Sequence, residues 1–265
     1  LAAEVARTGA TITFLVPTLL RRVLQADPRD VAPLRGLRTL ISSGSPLTAE
    51  ERRRIRTEVC PNFIEYYSST EGGGVTVLSN QELEAHPASV GRPVFGVRVE
   101  IVDDQDRPLP PETVGRIRYD GATVAQGFHR DEEASMGAFR DGFFYPGDLG
   151  YLNGEGYLFL CGRAKDMIIR GGVNIYPLEV ESILMTHPDV LEAAVVGVPS
   201  KEFDEEVAAF VMASGTCDAA ALAAWCRERL APYKVPRHFH FVDEFERNSA
   251  GKIIKKRLVE GLAPG

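Results

Sequence analysis

The sequence is poor in cysteine and tryptophan, has no long apolar run and carries no basic excess, and each shortage removes a class of protein. Its four cysteines, Cys60, Cys161, Cys217 and Cys226, are scattered without a CxxC pair. Neither a disulfide framework nor a structural zinc site is expected, and the thiols read as reduced, buried or bystander groups. No stretch approaches the roughly 18 apolar residues of a membrane-crossing helix. The opening Leu-Ala-Ala-Glu-Val-Ala-Arg also lacks the basic-then-apolar layout of a signal peptide. Thirty Lys and Arg stand against thirty-seven Asp and Glu, a net charge of −7, which argues against a general polyanion binder while leaving room for a local basic pocket. His86, His129, His187, His238 and His240 show no metal-like spacing. The chain therefore reads as cytoplasmic, with no nucleic-acid partner and no transmembrane segment, its oligomeric state open. What is present is 265 residues, 44% hydrophobic and 25% charged, or two soluble domains at roughly 150 residues each.

Residues 11–16 and 37–41 are short, apolar and β-branched, with a helical stretch near 18–26 between them. This is the βαβ rhythm of a parallel sheet. Thr48 opens a further helix, because Glu51 three residues on has the spacing of a capping box, and Ile55 and Val59 supply its apolar stripe. From about 90 to 160 the texture changes to short strands such as 97–102, where Val97, Val99 and Ile101 alternate with polar residues, as in a small antiparallel barrel or sheet. Past Asp166 a helix starts at Pro177, strands follow at 192–198 and 206–213, and a helix capped by Asp218 is expected to bury Leu222, Trp225 and Cys226 before a strand at 238–242. The expected fold is α/β followed by a small α+β unit, divided as 1–163 and 164–265 with a tight hinge at about 163–166.

Four segments carry more Gly, Ser, Thr and charge than a bland core needs. Ser42-Ser43-Gly44-Ser45-Pro46 follows a strand, and small residues there let backbone approach a flat ligand; the same composition also suits an ordinary loop. Tyr66-Tyr67-Ser68-Ser69-Thr70-Glu71-Gly72-Gly73-Gly74 combines an aromatic face, hydroxyls and a carboxylate able to hold Mg²⁺, against the plainer reading of a Ser/Gly-rich turn. In the third, from Gly147-Asp148 through Gly162-Arg163-Ala164-Lys165-Asp166 to the stretch from Gly171-Gly172 to Glu181, Asp148 can accept from two vicinal hydroxyls and Arg163 offers a rigid fork of donors, although either alone is more often a surface ion pair. The fourth, residues 247–257, has five basic residues and no acidic one. Its default reading is a solvated cationic face, and its sharper one is Lys252 reaching a phosphate from a Gly-hinged loop.

In this order and at these spacings the four segments resemble the adenylate-forming superfamily. The acyl-CoA synthetase branch, which activates fatty and aromatic acids, matches best through Asp148, GRAKDMIIRGGVNIYPLEVE and LAPYKVPRHFHFVDEFERNSAGKIIKKRL. The resemblance covers the whole chain but only the family's second half. It implies a carboxylate attacking the α-phosphorus of ATP to give an acyl-adenylate, from which coenzyme A then displaces AMP. Ser43, Gly44 and Ser45 would line the adenine and acyl pocket, Tyr67 would stack on adenine, Thr70 would contact the α-phosphate, and Glu71 would hold Mg²⁺. Asp148 and Arg163 would bind the ribose hydroxyls, and Lys252 would bridge the carboxylate and the α-phosphate. Lys165 falls at the hinge between the two half-reactions, and Gly171 and Gly172 fall beside the pantetheine channel.

The departures are Ser68 where the family often has Gly, Arg170 and Val173 where it often has Ser or another residue, and Glu246 where Pro is common. A larger one is that the family's Ser/Thr/Gly-rich phosphate loop, ending in Pro-Lys-Gly, is not found in these residues. With Leu1 in place of methionine, the expectation is a fragment whose partner is the missing N-terminal half of the large domain, and which alone does not form acyl-adenylate. A carrier-loading adenylation domain and a catalytically silent AMP-binding module are the alternative readings.

Overall fold

Short apolar strands alternating with helices close into a five-stranded sheet in the order Ile12–Phe14, Thr39–Ser42, Phe63–Ser69, Gly73–Leu78 and Arg92–Pro93. The first three run parallel and the last two antiparallel. The computed structural model describes residues 1–215, 217–248 and 251–261, and the chain divides into two compact units, Leu1–Leu160 and Cys161–Gly265.

In the first unit the helices Pro17–Gln25 and Ala49–Arg54 make the crossovers. Pro at the first helical position costs nothing, because its missing N–H is one of the unpaired donors of a helix start. The capping box at Thr48 is present in full: Thr48 N donates to Glu51 at 2.7 Å and Glu51 N to Thr48 Oγ1 at 3.2 Å. The last turns widen into a π-helical segment, Ile55–Val59, that still places Ile55 and Val59 in the core beside Leu20, Leu40 and Phe63. The expected short strands become a six-stranded sheet, with Gly115–Gly121 at its centre, Val97–Val102 along one side of it, and Phe143–Phe144 and Asp148–Leu152 along the other. Val99, Ile101, Ile117, Tyr119 and Phe144 fill its buried face.

The second unit is organised by a long hairpin, Val190–Ser200 with Asp204–Ala213, flanked by Ile168–Arg170 and Val173–Ile175 on one side and by His238–Phe241, parallel, on the other. Both faces of the hairpin are covered. Val195, Val207, Ala209 and Val211 pack with the helices Pro177–Leu184 and Ala219–Arg227, while Ala194, Val196, Ala208 and Phe210 pack with Phe245 and the tail helix Lys255–Glu260. Two-sided burial explains why the strands read as nearly continuous apolar runs. Asp218 caps its helix, accepting from Ala221 N at 2.8 Å. One expectation is corrected: that helix buries Leu222, Ala223 and Cys226, while Trp225 is half-buried because its indole N–H reaches out to Ile183 O and Thr186 Oγ1, both at 3.2 Å.

Candidate nucleotide-binding site

Parallel neighbours present their carboxyl ends side by side, so the segments after Thr39–Ser42 and at the end of Phe63–Ser69 meet. Ser43, buried, and Ser68 share a hydrogen bond at 2.8 Å, with Gly44 and Ser45 exposed beyond it. Gly44 has φ +109, a conformation that glycine adopts without strain. From the same strand Tyr67 Oη donates to Asp148 Oδ2 at 2.6 Å, joining the first residue of Asp148–Leu152 in the second sheet. The structure thus brings together Ser43, Tyr67 and Asp148, which are far apart in sequence.

The segment read as a Ser/Gly-rich turn is a hairpin whose strands run to Ser69 and from Gly73, so only Thr70, Glu71 and Gly72 form the tip. Thr70 is exposed and Glu71 half-buried. The tip is fixed by local bonds: Gly72 N donates to Ser69 Oγ at 2.8 Å, Thr123 Oγ1 to Gly72 O at 2.9 Å, and Ala125 N to Glu71 O at 2.7 Å. A Cβ on Gly72 would lie 2.3 Å from the Tyr119 ring, so close approach rather than a special φ demands glycine there. Behind the tip, Tyr119 and Ser69 share a hydroxyl hydrogen bond at 2.8 Å. Burial pushes the Tyr119 hydroxyl up to about 12, the Ser69 bond opposes this, and the negative charges of Glu71 and Asp148 add to it. Tyr119 contributes stability that is complete below the unfolded value of about 10 and is lost as pH rises toward 12. In a tyrosinate absorbance titration one tyrosine should ionise only near pH 12, and Tyr119→Phe should remove that late step.

In the second unit Arg163 ends the strand Leu158–Arg163 and is exposed, as is Lys165 in the short helical turn Ala164–Asp166. Gly171 and Gly172, at φ +55 and +80, make the exposed turn between Ile168–Arg170 and Val173–Ile175. Arg170, a departure from the family pattern, donates to the buried Glu206 at 2.6 and 3.1 Å. Lys252 is exposed, with its backbone N–H held by Asn248 Oδ1 at 2.9 Å and Gly251 beside it at φ +78; Ser249 and Ala250 lie outside the described residues. Its neighbours in the basic run are paired: Arg247 with Glu192, Lys255 with Glu181 at 2.6 Å, and Lys256 and Arg257 with Glu260 at 3.7 and 3.1 Å. Among the described residues no carboxylate pairs with the Lys252 ammonium.

Sequence reasoning missed Tyr119 and, though it singled out the segment holding Ser68 and Ser69, it missed their bonds to Ser43 and Tyr119, which exist only once distant strands pair. It also saw no relation among the histidines, yet His187, Asp189 and Cys217 bring one ligand atom each within 4.8 Å of one another. In this structure His187 Nδ1 already accepts from Asp189 N at 3.2 Å. The thiols are weak acids: burial pushes Cys161, with help from the Glu179 charge, and Cys226 each up to about 11, and raises Cys60 and Cys217 as well.

A parallel sheet whose strand ends gather hydroxyls, an aromatic ring and carboxylates defines a class, the α/β proteins that receive a small polar ligand beyond the carboxyl ends of their strands. Comparison narrows the class. Residues 1–129 match the family model for the AMP-binding enzymes, and residues 179–252 match that for the AMP-binding enzyme C-terminal domain. The chain belongs to this adenylate-forming superfamily. It is 35% identical to the 2-succinylbenzoate–CoA ligase of Geobacillus kaustophilus over 95% of this chain and 51% of that one. It is 39% identical to a feruloyl-CoA synthase of Amycolatopsis over 92% and 50%. The o-succinylbenzoate CoA synthetase of Bacillus subtilis, solved with its acyl-adenylate intermediate, superposes with a TM-score of 0.87 at 31% identity, covering 97% of this chain and 52% of that one. The chain spans about half the length of the curated relatives it matches.

Proposed function

We propose that these residues are the second half of an acyl-CoA ligase that activates a carboxylic acid with ATP and passes the acyl group to coenzyme A. The observation that carries this reading is the Tyr67–Asp148 hydrogen bond beside the paired Ser43 and Ser68 hydroxyls. It places a ring able to stack on a base next to a carboxylate able to accept from ribose hydroxyls. Asp148 and Arg163 hold the ribose, and Ser43, Gly44 and Ser45 form the wall along adenine and acid. Thr70 donates to the α-phosphate.

Glu71 is an oxygen donor at a fixed, half-buried tip, which suits Mg²⁺, an ion that takes one or two carboxylates and leaves its other positions to phosphate and water. When bound, Mg²⁺ would neutralise phosphate charge. The acid's carboxylate oxygen then attacks the α-phosphorus and pyrophosphate leaves. Lys252 meets the charge that develops, since no carboxylate among the described residues holds its ammonium back. In the second step the sulfur of coenzyme A attacks the acyl carbonyl and AMP leaves. Lys165 serves as the hinge between the two steps, and Gly171 and Gly172 keep the thiol's approach open.

The candidate substrates run from fatty to aromatic carboxylic acids. The two curated relatives above are named for 2-succinylbenzoate and feruloyl groups, which favours starting with aromatic acids. The segment cradling the outer phosphates would come from the half that the relatives have and this chain does not match. In keeping with such a partner, Ile12–Phe14 ends its sheet with Ile12 and Phe14 about half exposed, at 49% and 54%. The test is acid-dependent ATP–pyrophosphate exchange and coenzyme A consumption by the complete ligase with a panel of acids. Activity is expected with coenzyme A as acceptor, whereas transfer only to a carrier protein would favour a carrier-loading domain. This chain alone is expected to show no exchange, and exchange by it would overturn the proposed dependence on the other half.

A further inference from the structure

Among the described residues the largest fully buried side chain is an arginine. Arg52 is 2% exposed, and its guanidinium is bonded to Glu65, 4% exposed, through Nε at 2.5 Å and Nη2 at 2.7 Å. Its third nitrogen, Nη1, donates to Pro87 O at 2.5 Å. A bidentate pair of this kind fixes two backbones in distance and orientation, which a methylene contact does not. Removing two charges from water is unfavourable, so packing alone does not explain the pair. Burial pushes the Glu65 carboxyl up, Arg52 opposes this by charge and hydrogen bonding, and the Glu51 charge adds to it.

The partners of Arg52 all lead to the candidate site. Its own helix, Ala49–Arg54, follows the Ser43–Ser45 loop after Pro46, Leu47 and the capping Thr48. Glu65 lies two residues before Tyr67 on the same face of Phe63–Ser69. Pro87 precedes a segment bound to the second sheet, where Ser89 Oγ and Val90 N donate to Leu158 O at 2.8 and 2.9 Å and Leu158 N donates to Gly91 O at 2.8 Å. The strand Leu158–Arg163 is the neighbour of Asp148–Leu152. Two segments that lead to Ser43 and Tyr67, and a third bonded to the strand beside the one that Asp148 begins, therefore converge on one guanidinium. We propose that Arg52 and Glu65 are positioning residues for nucleotide binding, holding these three segments in mutual register from beneath the site. This rests on the nucleotide reading given above.

The test compares the complete ligase with its Arg52→Met/Glu65→Met, Glu65→Gln and Arg52→Lys variants in three measurements: thermal midpoint, AMP affinity by calorimetry, and amide hydrogen exchange resolved by peptide. Apolar replacement of a whole buried pair is often tolerated by the fold. The double variant is expected to fold, to bind AMP roughly tenfold more weakly, and to exchange faster at 43–48 and 66–74. Arg52→Lys, which keeps the charge but not the fork, should fall between it and the native chain. If the double variant does not fold, Glu65→Gln, which preserves volume, takes its place with the same expectations. A folded variant with native affinity and native exchange overturns the proposal. If the native ligase does not bind AMP, the nucleotide reading falls, and exchange at those two segments still decides whether the pair sets their register.

Discussion

Lys252→Ala in the complete ligase is expected to slow adenylation by about 10²–10³-fold, the usual loss when one preorganised charge-stabilising donor is removed. The variant should fold normally, because the Lys252 side chain is exposed and its backbone N–H bond to Asn248 survives truncation. The informative contrast is between half-reactions. Pyrophosphate release should collapse, whereas coenzyme A consumption from a synthetic acyl-adenylate should stay near the native rate, since Lys252 is proposed to act only in the first step. Equal loss in both would count against that role.

Gly91→Ala is expected to have the largest effect on stability. Gly91 sits at φ +94, where a side chain is strained, and an added Cβ would lie 1.9 Å from Val77 O and 2.1 Å from Val77 C. Both atoms are backbone in a paired strand, so rotamer adjustment gives no relief. A cost of about 3–5 kcal/mol is expected, measurable as a lowered denaturant midpoint of the first unit, and a change within experimental error would show that the backbone there yields readily. Gly142, also at positive φ but with nothing within 4 Å of its added Cβ, provides the control, because Gly142→Ala meets the strain without the collision.

The parts of this structure legible in the sequence are those settled within a few residues. The Thr48–Glu51 box needed four residues, and the Asp218 cap and Pro177 start needed no more. The hairpin at 66–74 was less legible, because Ser68, Ser69, Gly73 and Gly74 have the composition of a loop and become strand only when Ser68 pairs with Gly74 and Ser69 with Gly73. The Tyr67–Asp148 bond spans 81 residues, and nothing local announces it. Arg52 is a different kind of miss. Within the run Arg52-Arg53-Arg54 it reads as solvated charge, yet it stands three and seven residues before Ile55 and Val59, on the stripe that faces the core. The period carried the signal, and residue type concealed it.

The high thiol values bear on how a protein proposed to handle coenzyme A would coexist with it. A thiol that ionises near 11 is thiolate in only about one molecule in ten thousand at pH 7. Cys161 and Cys226 are therefore poor partners for mixed-disulfide exchange with a thiol co-substrate or its oxidised dimer. Redox chemistry at these sulfurs is suppressed by the same burial that packs them, so the most nucleophilic sulfur near such a site would be the one carried in by the substrate.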